Sequence, residues 1–128
     1  MTRSHMGFIV IICAAIAVTA IRSGNVAAQA NGCWVHVWED ENFQDDNDRI
    51  QGPGRFNNMR NLPGANKDDW GDEIDSIEMG PKASGTFWED EGFRDNSIRL
   101  SPGEKRSNLR GSPDLGDTID SMEITCQP

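Results

Sequence analysis

The sequence contains two copies of one unit, and a repeat of this kind limits the folds that the chain can adopt. Residues 38–43 (WEDENF) return as residues 88–93 (WEDEGF). Residues 71–79 (GDEIDSIEM) return as residues 116–124 (GDTIDSMEI). Each copy thus pairs an aromatic–acidic segment with a later acidic turn. A unit of roughly 45 residues buries too little surface to be stable alone, so we expect the two copies to pack together as one domain.

The first 30 residues have the pattern of a secretory signal peptide rather than of a folded segment. Arg3 precedes an almost unbroken apolar run, and Ala28 and Ala30 form an A-x-A cleavage sequence. The run is too short and wrongly flanked to span a membrane. We therefore expect cleavage after Ala30, no membrane span, and residues 31–128 as a secreted or periplasmic monomer.

The expected mature chain is strongly acidic. All 21 acidic residues follow residue 30, whereas Arg3 and Arg22 precede it, so ten basic residues remain and the formal charge is −11. This charge repels nucleic acid and attracts cations, so we expect no nucleic-acid partner. Ordinary solubility would account for the charge equally well; the placement of the acids is more informative.

Two cysteines, Cys33 and Cys126, remain after the expected cleavage, at the two ends of the domain. An even pair in an exported chain predicts a disulfide. Closing so long a loop contributes about 4–5 kcal/mol in the chain-entropy model.

Short alternating segments separated by turn residues predict an all-β fold. Val35 and Val37 share one face of a predicted strand, with Trp34, His36 and Trp38 on the other. Frequent Gly, Pro, Asn and Asp residues punctuate the chain, and no long helical period occurs, which favours a β-sandwich or barrel. The expected core partners outside these strands are Met59, Leu62, Trp70, Leu109 and Leu115.

The two doubled motifs resemble those of the βγ-crystallins, in particular their microbial calcium-binding branch. The front motif of that family is an aromatic residue, four variable residues, Phe, one residue and Gly. The rear motif is two Asn/Asp residues, two variable residues, Ser/Thr and Ser. The resemblance implies a β-sandwich of two Greek-key motifs, over residues 33–80 and 84–127. The matching structural residues are Trp38, Phe43 and Ser76 in the first unit and Trp88, Phe93 and Ser121 in the second.

The chain departs from the family pattern in three places. Asp45 and Asp95 stand where the front motif has Gly, and a positive φ there would be tolerated by Asp at a modest cost. Gly71 and Gly116 open the rear motif in place of Asn or Asp. The fifth rear position, usually Ser or Thr, is Asp in both copies.

The resemblance also implies two calcium sites, each drawing on both motifs. The fifth-position side chain supplies one oxygen, the third position supplies a backbone carbonyl, and a carbonyl near the start of a hairpin completes the protein ligands. Many flexible oxygen ligands suit Ca²⁺ better than Mg²⁺. The residues concerned are Asp75, Asp120, Glu73, Thr118, Glu39 and Glu89.

Two metal-independent alternatives exist for Asp75 and Asp120. Each side chain could only shape its turn through backbone hydrogen bonds. Each could instead form an ion pair with Arg49, Arg60, Arg99 or Arg110.

The sequence does not favour catalysis. His36 is the only histidine after residue 30, and no phosphate-binding loop or transition-metal cluster is present. We therefore expect a calcium-stabilised structural or stress-associated domain rather than an enzyme. The alternative is a metal-independent interaction protein, such as a secreted protease inhibitor, whose partner the sequence does not identify. Residues 52–58 or 63–69 would then provide the contact loop.

Overall fold

The computed structural model describes residues 31–110, 115 and 118–128, and these residues form eight strands. The first unit contains β1 (Trp34–Asp40), β2 (Gln44–Gln51), β3 (Gly54–Phe56) and β4 (Ser76–Met79). The second unit contains β5 (Ala83–Asp90), β6 (Arg94–Leu100), β7 (Lys105–Arg106) and β8 (Ser121–Cys126). The described part of the chain has no helix with the length and apolar character needed to cross a membrane.

The strands form two four-stranded antiparallel sheets. One sheet has the order β2-β1-β4-β7 and the other β3-β8-β5-β6. Each sheet therefore takes three strands from one unit and one from the other, since β7 joins the first sheet and β3 the second. The predicted all-β sandwich of two Greek-key motifs is confirmed.

The core lies between the sheets and follows the alternation of the sequence. Val35 and Val37 on β1 pair with Met79 and Ile77 on β4, and all four side chains are buried. Glu78, between the two β4 residues, is only partly buried. The residues predicted to complete the core are also buried, namely Met59, Leu62, Trp70, Leu109 and Leu115.

The predicted disulfide links Cys33 to Cys126, whose Cα atoms are 5.4 Å apart. Cys33 directly precedes β1 of the first sheet, and Cys126 ends β8 of the second. The bond therefore joins the two sheets at one end of the sandwich.

The strand exchange leads to a prediction about the isolated units. Residues 31–82 and residues 83–128, produced separately, should each fail to show a cooperative thermal transition, because β3 and β7 lose the sheet partners that they have among the described strands. Circular dichroism on heating, with sedimentation to establish the monomeric state, is the measurement. A monomeric half that unfolds cooperatively would contradict the prediction.

Candidate functional site

A serine from the rear motif holds each front-motif hairpin. Ser76 Oγ donates a hydrogen bond to the Asp40 carbonyl (2.6 Å) and accepts one from the Phe43 amide (3.0 Å). Ser121 Oγ makes the same two contacts in the second unit, at the same distances. The two motifs of each unit are thus joined by one hydroxyl group.

Both hairpins form although Asp replaces the expected glycine in each. Asp45 and Asp95 adopt φ values of 67° and 66°, so the substituted positions do require the left-handed region, which Asp tolerates better than most residues. The β1–β2 register shifts between Trp38 and Asp40, and the β5–β6 register shifts at the equivalent point. Glu39 and Glu89 therefore lie in bulges, outside the regular ladder, where backbone groups are left for other partners.

Each hairpin also contacts a loop of the other unit. The Asn42 amide donates to the Ser107 carbonyl (2.8 Å), and the Gly92 amide donates to the Asn57 carbonyl (2.7 Å). The Asp75 amide donates to the Trp38 carbonyl (3.0 Å). Since the Leu109 amide donates to the Asp75 carbonyl (2.9 Å), residues of both units converge at Asp75.

The first site is the surroundings of Asp75, and it holds a positive charge supplied by the protein. Arg110 Nη2 lies 2.7 Å from Asp75 Oδ2, and the Asp75 side chain is only 3% exposed. Asp40, Glu41 and Gln44 complete the lining of an open polar cavity of about 240 Å³ beside this pair. Of the four arginines considered as partners of Asp75, the structure selects Arg110.

One lysine forms ion pairs with the other two acidic residues predicted for calcium in the first unit. Lys67 Nζ is 3.0 Å from a Glu39 carboxylate oxygen and also contacts the Glu73 carboxylate. Burial alone would lower the pKa of Lys67, but hydrogen bonds to Glu73 and Glu39 outweigh it and raise that pKa. The side chains of Glu39 and Glu73 therefore form ion pairs.

The second site is the surroundings of Asp120, and it lacks such a charge. The Asp120 amide donates to the Trp88 carbonyl (3.0 Å), which repeats the contact of Asp75. No hydrogen bond or ion pair to the Asp120 carboxylate is found among residues 31–110, 115 and 118–128. Burial, followed by the charges of Asp72 and Glu91, raises the pKa of Asp120, and Arg60 opposes this only in part.

The second site also draws on both units. A side chain at Gly71 would place its Cβ 2.8 Å from Asp120 Oδ1 and 3.1 Å from Asp69 Oδ1. Glycine therefore leaves space at a point that two carboxylate oxygens flank. Arg60 pairs with Asp69 at 3.4 Å, with 64% of its own side chain exposed.

The remaining predicted residues of the second unit have local partners. Asn96 Nδ2 donates to the Glu89 carboxylate (3.0 Å), and Thr118 Oγ1 donates to the Leu115 carbonyl (3.1 Å). Gly116 and Asp117 of the acidic repeat lie outside the described residues. In the described part, no three His, Cys, Asp or Glu side chains are grouped closely enough to hold a metal ion by themselves. A cation at either turn would therefore need backbone carbonyls or water as well.

A buried carboxylate that the sequence interpretation missed fixes the long loop of the first unit. Asp48 accepts hydrogen bonds from the Asn66 amide (2.8 Å), the Asn66 side chain (2.8 Å), the Lys67 amide (3.0 Å) and the Trp70 indole (2.8 Å). Burial alone would raise the pKa of Asp48, but these bonds outweigh it and lower that pKa below the usual value. The available signal was position: Asp48 shares the inward-facing side of β2 with Ile50.

The two segments considered as contact loops are both bound to the body of the domain. Residues 54–56 form β3 rather than a protruding loop, and Arg55 Nε pairs with Glu123 at 2.7 Å. Residues 66–67, within the second segment, are held by Asp48. Within the second segment, Pro63 and Gly64 remain exposed.

Solved structures with the same arrangement of strands are βγ-crystallin domains and related proteins. The chain is 26% identical to spherulin 3a from Physarum polycephalum, with a TM-score of 0.56 over 77% of this chain and 87% of that one. It is 17% identical to a βγ-crystallin domain from Flavobacterium johnsoniae, with a TM-score of 0.58 over 73% and 94%. A domain solved in connection with the evolution of the eye-lens βγ-crystallin fold is 26% identical, with a TM-score of 0.64 over 77% and 90%. No protein-family model and no curated protein matches the chain.

The Asp48 network predicts a large loss of stability in Asp48→Ala. The substitution leaves buried donors without an acceptor, so the free energy of unfolding should fall by about 2–4 kcal/mol at neutral pH. Because the folded-state pKa of Asp48 is lowered, its contribution is present above pH ~4 and is lost as the pH falls through the folded-state value. Urea unfolding at pH 7 and pH 3 is the measurement. Asp46→Ala, on the exposed end of the same strand, is the matched control and should change little.

The charge of Asp120 should have the opposite effect on stability to that of Asp48. Its raised folded-state pKa means that the charged carboxylate costs stability at neutral pH, and that this cost disappears below pH ~4, where the group is protonated in both states. In the presence of a chelator, Asp120→Asn should therefore raise the melting temperature by a few degrees at pH 7 and leave it unchanged at pH 3. A lower melting temperature for the variant at pH 7 would show that the charged carboxylate stabilises the metal-free fold.

Proposed function

Because this chain belongs to the βγ-crystallin family, we propose that it is a small exported structural domain that binds calcium and is stabilised by it. The observation that carries the proposal is the state of the Asp120 carboxylate. It is partly buried, it has no hydrogen-bond or ion-pair partner in the part of the chain that the structure describes, and the negative charges of Asp72, Glu91 and Asp69 act on it. A cation there would remove a repulsion that the metal-free fold otherwise retains.

The donors around Asp120 suit calcium. They are oxygen atoms of the Asp120 and Asp69 carboxylates, which approach each other beside Gly71, where a larger residue would contact both of them. Calcium accepts six to eight such oxygens in flexible arrangements, whereas Mg²⁺ requires a stricter octahedron. The residues that would hold the ion are Asp120 and Asp69, with the Thr118 and Glu89 carbonyls as the predicted backbone ligands.

The same cation would stabilise the packing of the two units. Asp120 belongs to the second unit, while Asp69 and Asp72 belong to the loop of the first. Binding therefore acts across the interface between the units, which explains how an ion at a surface turn can raise the stability of the whole domain. The first site is less suited, because calcium at Asp75 would have to displace Arg110.

Export is supported by the disulfide. Cys33–Cys126 requires an oxidising compartment, which a secreted or periplasmic protein meets and the cytosol generally does not. The predicted signal peptide, residues 1–30, lies outside the described residues.

Calcium should raise the melting temperature of the purified protein, and Asp120→Asn should remove most of this effect. A ligand at 100 times its Kd stabilises the folded state by about 2.7 kcal/mol. For a domain of this size that corresponds to a shift of roughly 10 °C or more. Differential scanning calorimetry with chelator and with millimolar calcium is the measurement, and Mg²⁺ at equal concentration should substitute poorly.

Asp46→Asn is the control for this experiment, because it removes one acidic charge at an exposed position on β2, in the other sheet from the β8 strand that follows Asp120, and should keep the full calcium response. The order of stability between the wild type and Asp120→Asn should reverse between chelator and calcium. An identical melting temperature for the wild type in both conditions, without heat in a calorimetric titration, would refute calcium binding.

A further inference from the structure

The acidic residues of the two units differ in how their charges are balanced. In the first unit, Asp75 pairs with Arg110, while Glu39 and Glu73 share Lys67. In the second unit, no cationic side chain among the described residues pairs with the corresponding Glu89 or Asp120. The two units therefore share the acidic residues at these two positions but differ in the cationic side chains that pair with them.

We propose that Arg110 takes the place of a metal ion at the first site, so that this site is complete without calcium and the domain takes one calcium ion rather than two. The inference deepens the proposed function and rests on it for the ion at the second site. Arg110 belongs to the second unit and Asp75 to the first, so the guanidinium also performs the cross-unit tie that a cation would perform.

Burial makes this pairing necessary. A carboxylate whose side chain is 3% exposed cannot remain charged without a counter-charge or several hydrogen-bond donors. A backbone hydrogen bond holds Arg110 near Asp75. The amide of Leu109, the residue before Arg110, donates to the Asp75 carbonyl. Calcium and the guanidinium would therefore compete for the same carboxylate oxygen.

The equivalent arginine of the first unit behaves differently. Arg60 occupies the same repeat position as Arg110, in Asn58-Met59-Arg60 against Asn108-Leu109-Arg110. It pairs with Asp69 rather than with Asp120, at a longer distance of 3.4 Å and on the surface. Arg60 thus provides a matched comparison within the same chain.

Lys67 lies in a segment that is longer in the first unit than in the second. Residues 61–69 separate Arg60 from Trp70, whereas only residues 111–114 separate Arg110 from Leu115. The longer segment is held by Asp48 and carries Lys67 to Glu39 and Glu73. The extra length of the first unit therefore adds a second internal cation to the acidic residues of that unit.

The test is a calcium titration and a melting curve of the purified protein carrying Arg110→Gln, with Arg60→Gln as control. Arg110→Gln should lower the melting temperature by about 5–15 °C in chelator, because the buried Asp75 loses its partner. Calcium should restore most of this loss, and the number of bound ions should increase by one relative to the wild type. Arg60→Gln should lower the melting temperature only slightly and add no ion.

A double variant keeps the test decisive if Arg110→Gln does not fold in chelator. Arg110→Gln combined with Asp75→Asn removes both charges, so it should fold without calcium and should show no added ion. An Arg110→Gln protein that loses stability but gains no calcium ion would overturn the inference, as would two calcium ions bound by the wild type. A wild type that binds none while Arg110→Gln binds one would support the role of Arg110 at the first site and refute the proposed calcium ion at the second.

Discussion

The exchange of one strand between the two units is the constraint on which the rest of the structure depends. Because β3 pairs with β8 and β7 pairs with β4, neither unit can complete its sheet alone. The exchange carries the loop of each unit across to the hairpin of the other, as the Asn42–Ser107 and Gly92–Asn57 hydrogen bonds show. Acidic turns that are distant from those loops in the sequence thereby become their neighbours, and every candidate site combines residues of both units.

That arrangement requires a positive charge wherever a turn carboxylate is buried, and the two halves meet the requirement in different ways. Asp75 is deeply buried and is matched by Arg110, whereas Asp120 is less buried, remains without an ion-pair partner in the described residues, and has a raised pKa. The more deeply buried carboxylate is the paired one, since a fully buried carboxylate without a partner would destabilise the fold more than a partly buried one. The less buried turn, at Asp120, is the one that can remain unpaired until a cation binds from solution.

The repeat has also diverged in its interior. Asp48 in the first unit corresponds to Ile98 in the second, and Trp70 corresponds to Leu115. The first unit therefore has a buried carboxylate hydrogen-bonded to an indole and to a loop backbone, whereas the second unit has apolar residues at both positions. The polar version specifies one conformation of the longer loop, because every donor that faces Asp48 needs that acceptor. The loop then brings Lys67 and Asp69 to the acidic turns, so this internal substitution shapes the charge balance at the surface.

The sequence by itself determined the features that depend on local pattern. Alternation put Val35 and Val37 on one face of a strand, and that face is buried. The doubled motifs indicated the Greek-key sandwich, and the end positions of Cys33 and Cys126 indicated the disulfide. Only the tertiary structure decided which charges meet: that Arg110 rather than three other arginines reaches Asp75, that Lys67 joins Glu39 to Glu73, and that Asp48 is buried. Local pattern reports which face of a strand a residue occupies. Ion pairs between units depend instead on how far a loop extends across the strand exchange, which is set by packing over long sequence distances.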